Sequence, residues 1–417
     1  MTEAARRVQR TYLLLTLLST LSASLIWGVN TLFLLDAGLN NAQAFGANAA
    51  FTAGQVLFEV PTGVVADTVG RRASYLLGAV TLLISTLLYL LMWYAEAPFW
   101  GWILSSVLIG LGFTFFSGAV EAWLVDALNA SDFDGEYESV FARGQTTMGV
   151  AMLTGSVAGG FIAQISNLGV PYILRAVLLG ITFGAAYLLM RDIGFTPHRG
   201  GSPIREMKKI VTASIDNGWR KPPIRWLMLA APFTGGVGVY AFYALQPYLL
   251  ELYGDPNAFG IAGLAAAIVA GAQIVGGLIV PLVGRVFRRR TDVLVMSGIV
   301  GTLALLAIGL TSSFWIAIGL LVLWSLAFSV SMPMRQAYLN GLIESDQRAT
   351  VLSFDALMAS SGGVAAQPAL GRVADVWSYS ASYLVSSVIS VVAVPFFVLA
   401  RREQAPSDPI VPAASPT

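Results

Sequence analysis

The stretch Gly63-Val-Val-Ala-Asp-Thr-Val-Gly-Arg-Arg72 joins two long apolar segments of the chain, at about 43–66 and 73–95. Each segment reaches the roughly 20 residues that a helix needs to cross the hydrocarbon core of a bilayer. Apolar runs such as Leu13 to Leu18 do not alternate with polar residues, as the strands of a membrane β-barrel do. The sequence therefore predicts two helical membrane spans joined by a short charged loop.

The same pattern recurs along the chain and predicts an all-α membrane protein with twelve helical spans. Of the 417 residues, 56% are hydrophobic and 11% are charged, against about 25% charged residues in a soluble domain. A soluble protein with so few charges would not cover its surface. The predicted spans are, in chain order, about 11–35, 43–66, 73–95, 99–127, 144–166, 170–191, 225–250, 258–284, 292–311, 313–342, 349–371 and 379–400.

The residue types that catalytic and metal sites need are almost absent from the sequence. The chain has no cysteine and one histidine, His198, which excludes thiol chemistry, a cysteine-based zinc site and a histidine-rich metal site. The sequence contains no Walker A loop and no Gly-x-Ser-x-Gly motif. We therefore predict no enzyme activity, no metal and no cofactor. The net charge of +1 provides no global field to attract nucleic acid.

Basic residues lie mostly on one side of the predicted spans, and this bias predicts the orientation of the chain. With both termini in the cytoplasm, only Arg175 and Arg372 remain on the outer side. Cytoplasmic segments of membrane proteins carry an excess of Lys and Arg. The inner side receives Arg6, Arg7, Arg10, Arg71, Arg72, Arg191, the basic cluster in 199–225, Arg285, Arg288 to Arg290, Arg348, Arg401 and Arg402. We expect an integral protein of a bacterial cytoplasmic membrane, with outer loops too short for a receptor domain.

The longest connection divides the spans into two groups of six. We predict an N-terminal half at 1–191, a cytoplasmic linker at 192–224, a C-terminal half at 225–402 and a disordered tail at 403–417, which is rich in Pro, Ala and Ser. Within the linker, Ile204 to Trp219 is either an amphipathic helix on the inner leaflet or, as we favour, part of a solvated connection.

A sequence repeat relates the two groups of spans. Gly63-x-x-x-Asp67-x-x-Gly70-Arg71-Arg72 follows the second span, and Gly277-x-x-x-Pro281-x-x-Gly284-Arg285 follows the eighth, at an offset of 214 residues. The same offset relates Glu59 to Gln273, Glu121 to Arg335 and Asp126 to Asn340. Repeats around a site at the midplane are a common plan of secondary transporters. Since the two halves have the same orientation, we expect pseudo-repeats related by an axis along the membrane normal.

Two segments of the chain resemble motifs of the major facilitator superfamily. Gly63 to Arg72 resembles motif A of that family, and the preceding Glu59-Val-Pro-Thr62 is similar to a form found in many bacterial members. Gly155-Ser156-x-x-Gly159-Gly160 resembles motif C of drug exporters, with Ser156 in place of a proline. The span-four arginine of motif B is replaced by Ser106. The resemblance implies the major facilitator fold and transport by alternating access, whereas the two departures weaken the assignment to drug–proton antiporters.

The resemblance also implies that motif A is a conformational latch, which pairs with an acid at the inner end of span four. Asp126 matches that acid by position. From the residues themselves, Gly63 and Gly70 permit a close helix contact and a tight turn, and Asp67 lies near the start of a helix, where a carboxylate is favoured. Alternatively, Arg71 and Arg72 only anchor the topology of the chain.

Charged residues within the spans are candidates for proton coupling and gating, because each costs about 2.5–3.5 kcal/mol to insert into the membrane. Glu121 and Arg335 occupy equivalent places in the repeat, and we expect them to meet across a cytoplasmic gate. In the alternative, Arg335 pairs within its own half, with Asp355.

Three further charged residues each have two interpretations. Glu59, in apolar surroundings, either carries a proton or is a neutral acid bonded to a backbone group freed by Pro61. Asp36 is either exposed at the outer mouth or an outer proton acceptor. Arg175 either extends to lipid phosphates, which we favour, or helps to bind an anionic substrate.

Several polar and aromatic residues are candidates to line a substrate cavity. Each of them alone is more often a packing or interfacial residue. The candidates are Trp27, Asn30, Trp123, Arg175, Tyr240, Tyr243, Gln246 and Trp324.

The sequence thus predicts a monomeric secondary transporter that handles a small-molecule substrate, protons and membrane lipid. We expect a proton-coupled exporter of small hydrophobic or amphipathic molecules, with sodium as the alternative ion. The alternatives are a proton-coupled importer of a metabolite such as a sugar or organic anion, and a lipid flippase.

Overall fold

The structure is a computed structural model, and it describes residues 2–197, 212, 218–344 and 348–410. In this part of the chain the regular structure is helical, and β-pairing is limited to one bridge between Arg289 and Pro409. His198, most of the predicted amphipathic helix at 204–219 and the end of the tail at 411–417 lie outside the described residues.

The described residues form fifteen helices, several of which end at identifiable caps. The side chain of Thr2 caps the first helix by accepting a hydrogen bond from the Ala5 amide, and Asn40 forms a reciprocal capping box with Gln43. The helices are α1 (Glu3–Trp27), α2 (Asn30–Asp36), α3 (Asn41–Thr68), α4 (Arg71–Tyr94), α5 (Phe99–Phe116), α6 (Ala119–Asn129), α7 (Tyr137–Ile165), α8 (Val170–Leu189), α9 (Pro222–Tyr253), α10 (Phe259–Val286), α11 (Arg290–Leu310), α12 (Phe314–Asn340), α13 (Arg348–Val376), α14 (Tyr379–Val391) and α15 (Ala393–Arg402).

Eleven helical segments of the described residues are long and apolar enough to cross a membrane. The 29-residue helix α13 occupies the place of the remaining predicted span, and it is more polar because it carries Asp355, Gln367 and Arg372. Large apolar side chains, including Leu188, Leu278 and Trp315, are exposed on the helices, as a surface in contact with lipid requires. The predicted all-α membrane fold is confirmed, and its count of spans is matched to within this one helix.

Three of the predicted spans are interrupted, which the continuous apolar windows did not indicate. Span one consists of α1 and α2, and the last span consists of α14 and α15. Span four consists of α5 and α6, which are separated by Ser117 and Gly118. Gly118 adopts a left-handed conformation, with φ of 68°, and side chains other than glycine rarely adopt this conformation.

The chain folds as two compact units. Unit 1 comprises Met1–Glu206 and Asp255–Ala267, and unit 2 comprises Met207–Gly254 and Ile268–Thr417. The border after Glu206 lies in the predicted linker, but the first turns of α10 belong to unit 1. In unit 1, α1 packs on α7, and α4 packs on α5 and α8; in unit 2, α9 packs on α13, and α11 packs on α12 and α14. Each unit therefore pairs its first span with its fifth, and its third with its fourth and sixth, as a repeat would.

Part of the predicted disordered tail is folded. Residues 403–410 belong to unit 2, where the Arg290 amide donates a hydrogen bond of 2.8 Å to the Asp408 carbonyl. The prediction of disorder is therefore wrong for this segment. Its Pro- and Ser-rich composition does not form a helix, but long-range hydrogen bonds hold it.

Candidate functional site

The motif A loop lies between α3 and α4 and turns at Gly70. The φ of Gly70 is 133°, and a Cβ at this position would lie 2.5 Å from the Asp192 carboxylate, so both the turn and the space require glycine. Gly63 differs, because within the described residues no atom lies within 4 Å of the position its Cβ would take. The tight turn predicted at Gly70 is therefore observed, whereas the close helix contact predicted at Gly63 is not.

Arg71 joins three helices of unit 1. Its Nη1 lies 2.6 Å from Asp67 Oδ1, and its Nε lies 3.8 Å from Asp126 Oδ2, on α6. Asp67 lies in the last turn of α3, so its predicted place at the start of a helix is wrong, and Arg71 compensates its charge. The guanidinium also lies 5.9 Å from the centre of the Phe195 ring. An arginine that served only to orient the chain would need none of these partners. The loop has the two acidic contacts that the latch interpretation requires.

Arg72 and Asp192 form a second connection at this loop. The backbone amide of Arg72 donates a hydrogen bond of 2.9 Å to Asp192 Oδ1, and its Nη2 donates one of 2.7 Å to the Tyr187 carbonyl. Asp192 follows the end of α8 and therefore caps the start of α4 from a distance of 120 residues along the chain. Asp192 is not among the predicted site residues, and its only signal in the sequence is an acid directly after span six.

Two carboxylates flank the interruption of span four. Glu59 on α3 accepts a hydrogen bond of 2.9 Å from the Ser117 hydroxyl, and Glu121 lies in the first turn of α6. The Ser74 hydroxyl donates to the Phe115 carbonyl in the last turn of α5 over 3.0 Å. The Thr62 hydroxyl lies 3.2 Å from the Thr114 carbonyl and 2.8 Å from the Phe58 carbonyl of its own helix. Glu59 thus bonds to the interruption and not to a backbone group freed by Pro61. Glu121 has no ion pair within the described part of the chain.

Arg335 pairs with Asp355 within unit 2, which is the alternative that the sequence left open. Both terminal nitrogens of Arg335 donate to the Asp355 carboxylate, one of them over 2.6 Å. Arg335 Nη2 also donates to the Leu227 carbonyl over 3.2 Å. The pair therefore connects α9, α12 and α13, and it is largely buried.

Arg175 is buried inside unit 1, with 2% of its surface exposed. Its Nε donates a hydrogen bond of 3.0 Å to Thr86 Oγ1, and its guanidinium lies 5.8 Å from the centre of the Phe113 ring. The interpretation that Arg175 extends to lipid phosphates is wrong, because its side chain points into the helix bundle, where Thr86 and the Ser22 carbonyl accept its hydrogen bonds.

Asn30 belongs to a polar group near the start of α2. Its Nδ2 donates to Asn48 Oδ1 over 2.8 Å, and its Oδ1 accepts from the Tyr172 hydroxyl over 2.7 Å. The Tyr172 ring stacks on Phe33 with 4.0 Å between the centroids. Asp36, at the end of α2, is exposed and accepts a hydrogen bond of 2.8 Å from the Trp93 indole. Asp36 is thus exposed, as the first of its two interpretations expects.

Most of the other cavity candidates are buried. Trp123 is buried in the apolar core of unit 1, and its indole donates to the Arg191 carbonyl over 2.7 Å. Tyr240 is fully buried, and its hydroxyl donates to the Leu370 carbonyl. Gln246 and Trp324 are also buried, while Trp27 and Tyr243 are half-buried. Packing, the more common role of such side chains, therefore describes Trp123 and Tyr240 best.

The glycines that resemble motif C form a close helix junction in unit 1. Cβ atoms at Gly155 and Gly159 would collide with Ser24 and Leu25 on α1. A Cβ at Gly160 would lie 2.9 Å from the Cα of Gly263, in the first turns of α10, and a Cβ at Gly28 would lie 2.8 Å from the same atom. No side chain fits at these positions, so three helices approach each other at backbone distance.

Comparisons with known proteins agree with this architecture. The family model described as Major Facilitator Superfamily matches residues 12–288 and 259–416. An uncharacterized MFS-type transporter of Bacillus subtilis (strain 168), YxaM, is 22% identical over 227 residues, and the match spans about half of each protein, 53% of either chain.

Solved structures share the fold at low sequence identity. The nucleoside transporter NupG has a TM-score of 0.75 at 11% identity, with 95% of this chain and 99% of NupG covered. A D-xylose–proton symporter has a TM-score of 0.68 at 13% identity, with 95% of this chain and 97% of the symporter covered. Since the family model matches nearly the whole chain, on both sides of the linker, the protein belongs to the Major Facilitator Superfamily.

Proposed function

We propose that this transporter couples the movement of a small molecule to protons, by alternating access, across a bacterial cytoplasmic membrane with both termini inside. The observation that carries the proposal is the pair of carboxylates, Glu59 and Glu121, at the interruption of span four. Interrupted helices mark substrate and ion sites in many secondary transporters. Acids inside the membrane-spanning region are costly, and the acids that are present usually serve a function.

The interruption offers a physical route from protonation to movement. Glu59 accepts a hydrogen bond from Ser117, in the two-residue break, so the protonation state of Glu59 acts directly on the joint between α5 and α6. Glu121 lies in the first turn of α6, where backbone amides favour a negative charge. A change in the angle between the two helices would alter this environment.

The motif A contacts would hold one end of unit 1 together during this movement. Arg71 connects the end of α3 to α6 through Asp67 and Asp126. We propose that these ion pairs are the latch, and that they rearrange when the transporter changes the side to which it opens.

For the direction of transport we propose export of small hydrophobic or amphipathic molecules. The support is the glycine junction at Gly155, Gly159 and Gly160, whose sequence resembles the motif of drug exporters. Import is the second candidate, because the structures with the same fold include a nucleoside transporter and a D-xylose–proton symporter.

The proposal is tested with purified protein in liposomes that contain a pH-sensitive dye. A proton gradient is imposed, and drugs, nucleosides, sugars and organic acids are added in turn to the wild type, Glu59→Gln and Glu121→Gln. Glu344→Gln makes the same change of charge at an exposed residue and is the matched control.

We expect substrate-dependent proton flux in the wild type and in Glu344→Gln, and its loss in either of the other two variants. Proton movement opposite to the substrate indicates antiport and export, and movement in the same direction indicates symport. Substrate movement without proton flux would exclude proton coupling and leave a sodium-coupled carrier, a uniporter or a lipid flippase.

A further inference from the structure

Residues 403–410, which follow the last helix, form a segment across one end of unit 2, the C-terminal clip. The Ile410 amide donates a hydrogen bond of 2.9 Å to the Arg288 carbonyl, and the Arg290 amide donates one of 2.8 Å to the Asp408 carbonyl. These two bonds pair the clip with the loop between α10 and α11. Ala405 is 3% exposed and belongs to the apolar core cluster of unit 2. Backbone hydrogen bonds and one buried side chain thus hold the clip in place.

Asp408 caps the start of α11. It is 2% exposed, and its Oδ1 accepts hydrogen bonds from the Thr291 amide, over 2.9 Å, and from the Thr291 hydroxyl, over 2.8 Å. Backbone amides at the start of a helix have no partner within the helix, and a carboxylate both satisfies them and interacts favourably with the helix dipole. A carboxylate so deeply buried would be unfavourable without such partners.

The clip also contacts the end of α12. The Ser407 hydroxyl donates to the Tyr338 carbonyl over 2.7 Å, and a Cβ at Gly341 would lie 2.6 Å from the Ser407 Cβ. Arg290 Nη1 donates to the carbonyls of Ser407 and Pro409. One segment of eight residues therefore contacts the α10–α11 loop, the start of α11 and the end of α12.

Unit 1 contains a corresponding connection. Asp192, beyond the sixth span, binds the Arg72 amide at the start of the third span. Asp408, beyond the twelfth span, binds the Thr291 amide at the start of the ninth span. The two aspartates stand in the same topological place of the repeat, although the chain takes different paths to reach them. Both fix the loop that follows the second span of their own unit.

We infer that residues 403–410 are a C-terminal clip that keeps the start of α11 and the end of α12 together, with Asp408 as its pin. The contacts of the clip described above lie within unit 2, and they give a structural role to a segment outside the membrane spans. Because it fixes the counterpart of the motif A loop, transport turnover depends on it; this last consequence rests on the proposed function.

The clip is tested by measuring how well a buried reporter is protected. The chain contains no cysteine, so a single introduced cysteine is the only thiol. Ala405→Cys places the thiol under the clip, and Pro406→Cys, one residue away and exposed, is the matched control. We expect a maleimide to label Ala405→Cys at least about tenfold more slowly than Pro406→Cys, because labelling requires local opening. Equal rates in the folded protein would overturn the clip.

The pin is tested in the Ala405→Cys background. Asp408→Asn keeps the shape of the side chain and removes its charge, and we expect it to speed labelling about fivefold to tenfold and to lower the unfolding midpoint by about 5 °C. Glu344→Gln should change neither quantity. In the liposome assay, Asp408→Asn should lower turnover without changing the half-saturating substrate concentration. Equal turnover in Asp408→Asn and Glu344→Gln would overturn the role in transport, and unchanged labelling would overturn the role of Asp408 as pin.

Discussion

The Arg335–Asp355 pair allows a quantitative test of what a buried charge contributes to this fold. The two side chains are 16% and 8% exposed, and the arginine also bonds to the Leu227 carbonyl. Removing one partner of a buried pair leaves the other charge in a poorly solvated place, at a cost of 3–5 kcal/mol. Since Arg335 keeps some exposure, we take the lower end, about 3 kcal/mol, for either Asp355→Leu or Arg335→Met.

The double variant is expected to differ from the sum of the single variants. Replacing both partners by apolar side chains of similar size is often neutral, because no unpaired charge remains. We therefore expect Arg335→Met with Asp355→Leu to lie within about 1 kcal/mol of the wild type, although the two single changes together predict a loss of about 6 kcal/mol.

Thermal unfolding followed by tryptophan fluorescence measures these differences, since the chain contains ten tryptophans. For a unit of this size about 3 kcal/mol corresponds to a shift of about 6–12 °C. Arg401→Met is the control, because its ion pair with Asp292 is 2.6 Å long but 51% exposed at the arginine, and exposed pairs contribute less than about 1 kcal/mol. The reasoning is refuted if the double variant loses as much stability as the two single variants combined.

Two further predictions concern contacts within unit 1. Gly159→Ala should lower the unfolding midpoint by about 5 °C, because its Cβ would lie 2.7 Å from the Leu25 carbonyl carbon. Gly180→Ala, whose Cβ would have no atom of the described residues within 4 Å, should raise the midpoint slightly through higher helix propensity. Midpoint shifts of the same size and sign in the two variants would contradict the role of close packing at Gly159. Asp192→Ala should lower the free energy of unfolding by about 1 kcal/mol, as the loss of a helix cap does. Glu136→Ala, at the start of α7 where the side chain makes no capping bond, should change it little. Thermal unfolding of both variants measures this difference.

The helical spans follow from the sequence because the membrane permits few solutions. A run of about 20 apolar residues must form its backbone hydrogen bonds within itself, so composition alone identifies the helix. The turn at Gly70 was predictable from the residue type, whereas Asp126 was indicated only by the resemblance to motif A and the ion pair of Asp67 with Arg71 was not predicted. A loop of two residues separates α3 from α4, and residues other than glycine rarely adopt the φ of 133° observed at Gly70.

The remaining features depend on residues far apart in the chain. Arg175 is buried because Thr86 and the Ser22 carbonyl accept its hydrogen bonds, and these partners lie 89 and 153 residues away. The interruption at Ser117 and Gly118 was not visible, because the hydroxyls that face the carbonyls freed by the broken helix, those of Ser74 and Thr62, lie on neighbouring helices. Neither local composition nor hydrophobic periodicity identifies partners that lie so far away in the sequence.

The distribution of polar contacts supports the choice of coupling residues. Arg71 binds Asp67 and Asp126 within unit 1, and Arg335 binds Asp355 within unit 2. A carboxylate held by an arginine keeps its charge and is a poor proton carrier. Glu59 and Glu121 differ, since neither has an ion pair in the described part of the chain. For this reason the proposed function assigns coupling to these two acids at span four, the latch to the Arg71 pairs and stability to the Arg335–Asp355 pair.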